Sequence, residues 1–570
     1  MRLNRVFELH QSGQWHDLTI ERSNAPFGEV VHWTRPLDVL LLAGAWALSP
    51  FIGFEQALFW WGALLSPILG LAAVASLFWA AKPMMMSNGF SYLGLLFICQ
   101  LGVLRDFFIG RPDHHGLMVL LFVLFLGLTL RLLSRPFKAS LCYLAALVGA
   151  VAIWISVEFL VPVFISLAVL GVMWVKSGED FSRKFAHFSL GLFAGVTLAL
   201  VVEEPVKALG VQAFDRISIA HAGLFAGVAA VCGLLSWTTG FRPMRNRRLN
   251  RLVAAGGGVV ALLIFVSLGF PKFFAGPFVD IDPRVLTSYM NYIGDGQPLI
   301  ASIESWPASL SWLGTAYVAV PFMLFILWRR PAGRDLRNWG YLLAALAVFM
   351  ALTLGYQKRW VSYAEVLLVI PGAEFLAVLL AWIGPRMVPV FAGVARVFLV
   401  VAFSVGISVS GMALQRSMDK TDISGTAGAV EREKRCRLSG ISRFLTELTG
   451  PENAPRRILS HLSYGAELVY RTPHEVVSSG YHRNARGILD TVAIFSAPND
   501  KLALDRIRQR KVNLILVCPG LDEALLYVSE AGKTTFYDRL RRNRPPEWLH
   551  RVGLPDEPES GFLLFKVIDP

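Results

Sequence analysis

The sequence has no cysteine pair at metal-binding spacing, no low-complexity tract, no short repeat and no cleavable signal peptide. The first absence excludes a thiolate zinc site. Of five cysteines, Cys99, Cys142 and Cys232 sit in apolar runs and read as small core hydrophobes. Cys436 and Cys518 fall in the polar C-terminal part, where they can pair if that part is extracytoplasmic. No glycine-rich nucleotide-binding loop is visible either. What the chain does have is apolar length. It is 54% hydrophobic over 570 residues, with a mean hydropathy of +0.52. The apolar residues come in blocks long enough to cross a bilayer, so a soluble protein is excluded. The formal charge of +13 lies largely in short loops between those blocks. There it sets topology and meets anionic lipid, and nucleic acid is not an expected partner.

The blocks predict about twelve spans of roughly 20 residues each. They fall at 58–80, 90–104, 114–130, 139–157, 159–175, 185–202, 217–237, 252–270, 312–328, 338–355, 362–382 and 391–414. Alternate loops hold the basic residues, among them Lys82, Arg131, Arg135, Lys176, Lys184, Arg248, Arg251, Arg334 and Arg386. Those loops are assigned to the cytoplasm. The other face then receives segment 1–57, the "GRPDHHGL" loop (110–117), Glu158, Glu203-Glu204, the long loop 271–311, the Gln357–Trp360 turn and everything after 415. Segment 1–57 reads as a first extracytoplasmic loop. Its run 38–48 is too short to span and suits an interfacial helix. A polar segment on the outer face requires an apolar one ahead of it, so a further transmembrane helix is expected before residue 1. Segment 58–414 is the transmembrane domain. Segment 415–570 is a soluble domain, in which "RKVNLILVCPG" reads as a buried strand following the helix "APNDKLALDRIRQR", an α/β signal.

Ionisable groups at membrane depth are costly, which singles out a few residues. Asp113 and His115 are two apart, so an extended entry segment places both on one side. A carboxylate and an imidazole together can hold Mn²⁺ or Mg²⁺ with positions left for a substrate phosphate. Asp113 can equally be only the N-cap of the helix it precedes, and His114 can face headgroups. Glu158 sits among apolar residues and needs a cation, a metal or a proton, or else dips from a helix end into the headgroups. Glu304 lies in a long outer loop of the kind that forms lids and binding elements, although a lone loop glutamate is ordinarily solvated. Arg359 matches a phosphate with bidentate geometry, or anchors the interface beside Trp360. Glu203-Glu204 reads as a solvated turn. Arg471, His474, Tyr481, His482 and Arg483 concentrate hydrogen-bonding groups that suit a sugar, a phosphate or an acceptor; a solvated surface strand is the competing reading. Glu158 and Glu365 inside apolar runs would also suit a transporter or flippase, against which no repeat relates the two halves.

Together these pieces resemble the GT-C fold glycosyltransferases, in particular the catalytic subunits of archaeal and bacterial oligosaccharyltransferases. The resemblance implies an α-helical polytopic membrane fold with a C-terminal α/β domain on the outer face, here the periplasmic face of a bacterial inner membrane. It implies transfer of a sugar from a polyprenyl phosphate or diphosphate donor, with inversion at the sugar carbon and assistance from a divalent metal. The Asp-His-His motif of the archaeal form makes Asp113 and His115 metal ligands. Arg359 is similar to the arginine that meets the lipid-linked diphosphate, with His114 beside it. Glu304 in "SIES" is similar to the long-loop glutamate, in shifted register; with Glu158 it makes the candidate catalytic pair. The first acidic motif of the family would stand before Met1. The acceptor signature W-W-D-Y-G is missing, and "RTPHEVVSSGYHRN" occupies its place. The acceptor class, whether protein, lipid or polysaccharide, is therefore open. An inactive relative that binds the donor without turnover is the further alternative.

Overall fold

The computed structural model describes residues 1–85, 89–289, 293–418, 436–449, 454–528, 534–555 and 561–568. They fall into two compact bodies. One comprises Trp33–Asp280 and Gln297–Met418; the other comprises Met1–His32, Ile281–Gly296 and the residues from 419 onward. The boundary expected at 415 borders residues 419–435, which lie outside the described set.

The first body is helical. Among the described residues it has ten helices long and apolar enough to cross a membrane, or eleven if the bent pair Ile303–Leu313 and Ala316–Arg329, inclined at 71°, is one span. Small residues set how closely they pack. On Glu179–Glu203, a Cβ at Gly191 or Gly195 would stand 2.6 Å from the Cβ of Ala146 or Ala150 on Ala139–Ile155. Two small residues four apart on each helix let the backbones approach, which is how helices gain contact where lipid offers no hydrophobic drive.

The interfacial run expected at 38–48 lies within a longer apolar helix, Arg35–Ile52. Its two charges, Arg35 and Asp38, pair with each other at 3.3 Å, both fully buried. Two expectations need correction. The span expected at 90–104 is broken into Phe90–Ile98 and Leu101–Asp106, with Gln100 extended between them (φ −76°, ψ 121°). The Glu365 carboxylate accepts the Gly102 and Val103 N–H groups at 3.1 and 2.8 Å, so the second piece starts at a cap inside the protein. That duty accounts for Glu365 without ion transport. Glu203 and Glu204 are buried, not solvated. Glu203 accepts from the Arg35 N–H and Trp154 Nε1, and Glu204 pairs with Arg216 at 2.9 Å.

The second body contains a five-stranded mixed sheet in the order Glu475–Val476, Arg457–Ser460, Leu514–Val517, Leu563–Val567, Leu549–Val552. The first three strands are parallel, and Leu563–Val567 alone runs antiparallel to its two neighbours. The run expected as a strand is the central one, buried along its length, and the helix before it is Asp500–Arg510. The N-terminal segment belongs to this body. Ala25 N–H donates to the Val476 carbonyl and Val476 N–H to that of Arg22, so it covers the sheet's first edge. Cys436 and Cys518 form a disulfide.

Candidate functional site

The site is built around the loop before helix His114–Ser134. Gly110 takes a positive φ of 80°, a conformation that suits glycine. Its N–H donates to Ala63 at 2.9 Å, and Ser66 Oγ donates to the Arg111 carbonyl, so the loop is tied to helix Phe54–Ala81. Pro112 then leads into Asp113, which is extended and accepts the His114 N–H at 2.6 Å. The two readings of Asp113 are thus compatible: it caps the helix and also meets both imidazoles. Its Oδ1 lies 2.7 Å from His114 Nδ1 and its Oδ2 lies 3.6 Å from His115 Nε2. The two rings stack at 4.4 Å.

Among the described residues, Asp113, His114 and His115 form a group whose ligand atoms lie within 4.8 Å of one another. One carboxylate oxygen and two ring nitrogens suit a divalent cation that accepts mixed oxygen and nitrogen donors, such as Mn²⁺ or Zn²⁺. The structure therefore adds His114 to the ligand candidates. Burial acts to raise the Asp113 carboxyl pKa. The His115 and His114 imidazoles and the Arg111 guanidinium outweigh it and hold that pKa well below the ordinary carboxylate value. The carboxylate is ionised, as a ligand must be.

Beside this group stand two turns from elsewhere in the chain. Ser156 breaks the chain after helix Ala139–Ile155, and the turn Val157–Phe159 presents Glu158. Turn Lys358–Trp360 presents Arg359, whose NH1 donates to Glu158 Oε1 at 2.6 Å. Both side chains remain partly exposed, at 22% for Arg359 and 18% for Glu158. The His114 and His115 rings act electrostatically on Glu158, so cluster and pair share one locality. Phe122 holds that locality together, meeting Phe159, Phe349 and Tyr363 edge-on.

Sequence reasoning missed Asp106 and Arg111. Asp106 is buried, accepts from Ser362 Oγ at 2.7 Å and lies 3.6 Å from Arg111 NH1. The Arg111 NH2 in turn lies 3.6 Å from Asp113 Oδ2. Arg111 is thus shared between two carboxylates. The signal was present: Arg105-Asp106 is a charged pair inside an apolar run.

Other candidates fare differently. Glu304 is exposed on the turn Ile303–Ser305 and stands outside the ligand group. His474 is corrected to a structural role. It is fully buried, with Nε2 on the Leu445 carbonyl at 2.6 Å and Nδ1 accepting the Arg456 N–H at 3.1 Å, so neither nitrogen is left for a ligand. Arg471 makes a surface pair with Glu467 one helical turn away. Tyr481, His482 and Arg483 are half-buried, and His482 packs against His32 with ring centroids 4.2 Å apart.

This architecture, a polytopic helical body followed by a sheet-containing C-terminal region, is the fold of the GT-C membrane glycosyltransferases. The solved structures it matches include the oligosaccharyltransferase AglB of the archaeon Archaeoglobus fulgidus. With an inhibitory peptide and a dolichol-phosphate bound, AglB aligns at a TM-score of 0.65 and 15% identity, over 92% of this chain and 66% of that one. Tethered to an acceptor peptide it aligns at 0.64 and 14%, over 92% and 66%. With Zn and sulfate it aligns at 0.60 and 14%, over 90% and 63%. The chain spans about two thirds of the length of these structures. No protein-family model and no curated protein matches it by sequence.

Proposed function

We propose that this protein is a multi-pass membrane glycosyltransferase. It moves a sugar from a polyprenyl phosphate or diphosphate to an acceptor on the outer, periplasmic face of a bacterial inner membrane. The observation that carries the reading is the meeting of Asp113, His114 and His115 with the Glu158–Arg359 pair, at the ends of helices that share the AglB fold. AglB has been solved with a lipid phosphate, with an acceptor peptide and with Zn and sulfate.

In this reading Asp113 and His115 hold a divalent cation, and His114 completes the set or faces the phosphate. The cation, when bound, supplies charge that stabilises a departing phosphate. The remaining work falls to side chains. Arg359 exchanges its carboxylate partner for the incoming lipid phosphate, because a guanidinium binds either with similar geometry. That exchange frees Glu158 to take the acceptor's proton as the acceptor bonds to the sugar carbon. The bond from that carbon to the phosphate oxygen breaks, and the lipid phosphate leaves with the electron pair. Arg111, held by Asp106, keeps the Asp113 carboxylate oriented until a cation displaces it. Tyr481, His482 and Arg483 are the residues of the sheet body assigned to the acceptor.

Transfer to water needs no knowledge of the acceptor and provides the test. Purified full-length protein with Mn²⁺ and a short-chain polyprenyl diphosphate sugar is expected to release free sugar. Asp113→Ala and His115→Ala should each lower that rate about 100-fold, the effect of removing several kcal/mol of charge stabilisation. Both should also weaken Mn²⁺ binding measured by calorimetry. Unchanged Mn²⁺ binding in both variants would remove the metal site, whatever the activity.

A further inference from the structure

A second cavity lies far from that site. Helix Val157–Ser177 begins beside Glu158 and ends beside Lys176, 18 residues on, or about 27 Å at ~1.5 Å per residue. Against its far half stand helices Ile219–Thr238 and Arg248–Gly269. Between the three is a groove of about 430 Å³, lined from Phe164 to Lys176 on one side and from Leu252 to Leu262 on another. Gly171, Ala168, Ala255 and Gly258 are among its small lining residues, and Lys176 is the one charged side chain that lines it.

The lining limits what can occupy it. Almost every surface offered is hydrocarbon, so a polar ligand would leave its hydrogen bonds unmade. A partner helix is about 10 Å across. The groove spreads its volume over twelve residues of helix, about 18 Å at ~1.5 Å each, which leaves the width of one hydrocarbon chain. Charge selects the headgroup. Lys176 is exposed at the end of the groove, and Arg248 lies one turn before Leu252 on the same helix face, also exposed. Neither has an ion-pair partner among the described residues. The nearby acids are already matched, Glu179 by Arg183 at 2.8 Å and Asp180 by Lys184 at 2.6 Å. Arg251, buried just below, is committed to the Val175 and Met244 carbonyls. It closes the end of one helix and fixes the start of the next, so the two free cations stand at a built corner.

We propose that this groove binds one acyl chain of an anionic glycerophospholipid, with its phosphate headgroup on Lys176 and Arg248, in the leaflet opposite the Asp113 site. Basic corners between spans favour such lipids. The distance from Glu158 separates this lipid from the sugar donor, so it is a structural or regulatory ligand and not a substrate.

Native mass spectrometry of the full chain in mild detergent tests the assignment, with phosphatidylglycerol and phosphatidylcholine of identical chains as probes. Phosphatidylglycerol should be retained at least about fivefold more than phosphatidylcholine, a difference near 1 kcal/mol. Gly171→Leu fills the groove without meeting any atom within 4 Å of the new Cβ. It should abolish retention of both lipids. Lys176→Glu combined with Arg248→Glu should remove only the preference. Equal retention of the two lipids by the wild-type chain would overturn the proposal, and that comparison needs no variant to fold. Retention unchanged by Gly171→Leu would also overturn it. So would a variant that loses a polyprenyl phosphate while keeping phosphatidylglycerol, since the groove would then belong to the donor.

Discussion

Both bodies pair their buried charges, and they differ in what else those charges do. In the helical body, several buried charged side chains also finish helix ends. Glu365 accepts two N–H groups at the start of Leu101–Asp106. Arg131 donates to the Trp79 and Gly127 carbonyls, Lys184 to Arg135, and Arg251 to Val175. In the sheet body the pairs stand out: Arg510 with Asp490, Arg457 with Glu475, Arg541 with Asp538. The reason is the solvent. A span leaves unmade backbone groups at each end, and hydrocarbon offers them nothing, so the protein must supply the partner. A sheet completes its own backbone bonds, which leaves side chains to neutralise one another and lets a disulfide add a further constraint.

The largest test of this contrast is that disulfide. Replacing Cys436 and Cys518 by Ser opens a loop of 82 residues, with an expected loss of about 4.5 kcal/mol in the chain-entropy account. Amide exchange should accelerate in strands Arg457–Ser460 and Leu514–Val517 and stay unchanged in the long helices. Equal acceleration in both bodies would erase the contrast.

Next comes acid. His461 is fully buried, and burial pushes its pKa down to about 4, although Glu523 pulls the other way. The unfolded imidazole, near pH 6.5, binds a proton that the folded one refuses. Stability from this group is therefore complete above about pH 6.5 and falls as pH drops toward 4, by up to about 3 kcal/mol. The sheet body should loosen at pH 5 relative to pH 7, and His461→Asn should flatten that dependence. A flat profile in the wild-type chain would mean the imidazole is not held neutral.

The smallest effect belongs to the helical body. Glu365→Ala leaves two buried N–H groups without an acceptor and should cost about 2 kcal/mol, with local opening of Leu101–Asp106. Glu365→Gln, which keeps an acceptor, should cost less. If instead Glu365→Ala left stability untouched but abolished a proton or ion flux, the transporter reading would return.

Much of this was legible in the chain. Apolar run length located most of the spans, because a bilayer demands a fixed length whatever the fold. The spacing of Asp113 and His115 marked the candidate site, because charge at membrane depth is rare. The strand at Leu514–Val517 was legible from its continuous apolar run. The interruption at Gln100 was not, because "LLFICQLGVL" is apolar on both sides of that one residue and the break depends on Glu365, more than 260 residues away. His474 and Glu203 were misjudged for a related cause. A polar residue looks solvated or functional until the backbone groups that satisfy it are seen.

By itself, then, the sequence determined that the chain crosses a membrane many times, which of its charges lie near the ends of spans, and that a mixed α/β region follows. Those are properties of length and local composition, which each segment carries alone. Only the tertiary structure decided that Arg359 meets Glu158, that Arg111 is shared by Asp106 and Asp113, and that a groove opens beside Lys176. Pairing and cavity shape depend on which helices lie side by side, and close approach of distant segments leaves no trace in the local order of residues.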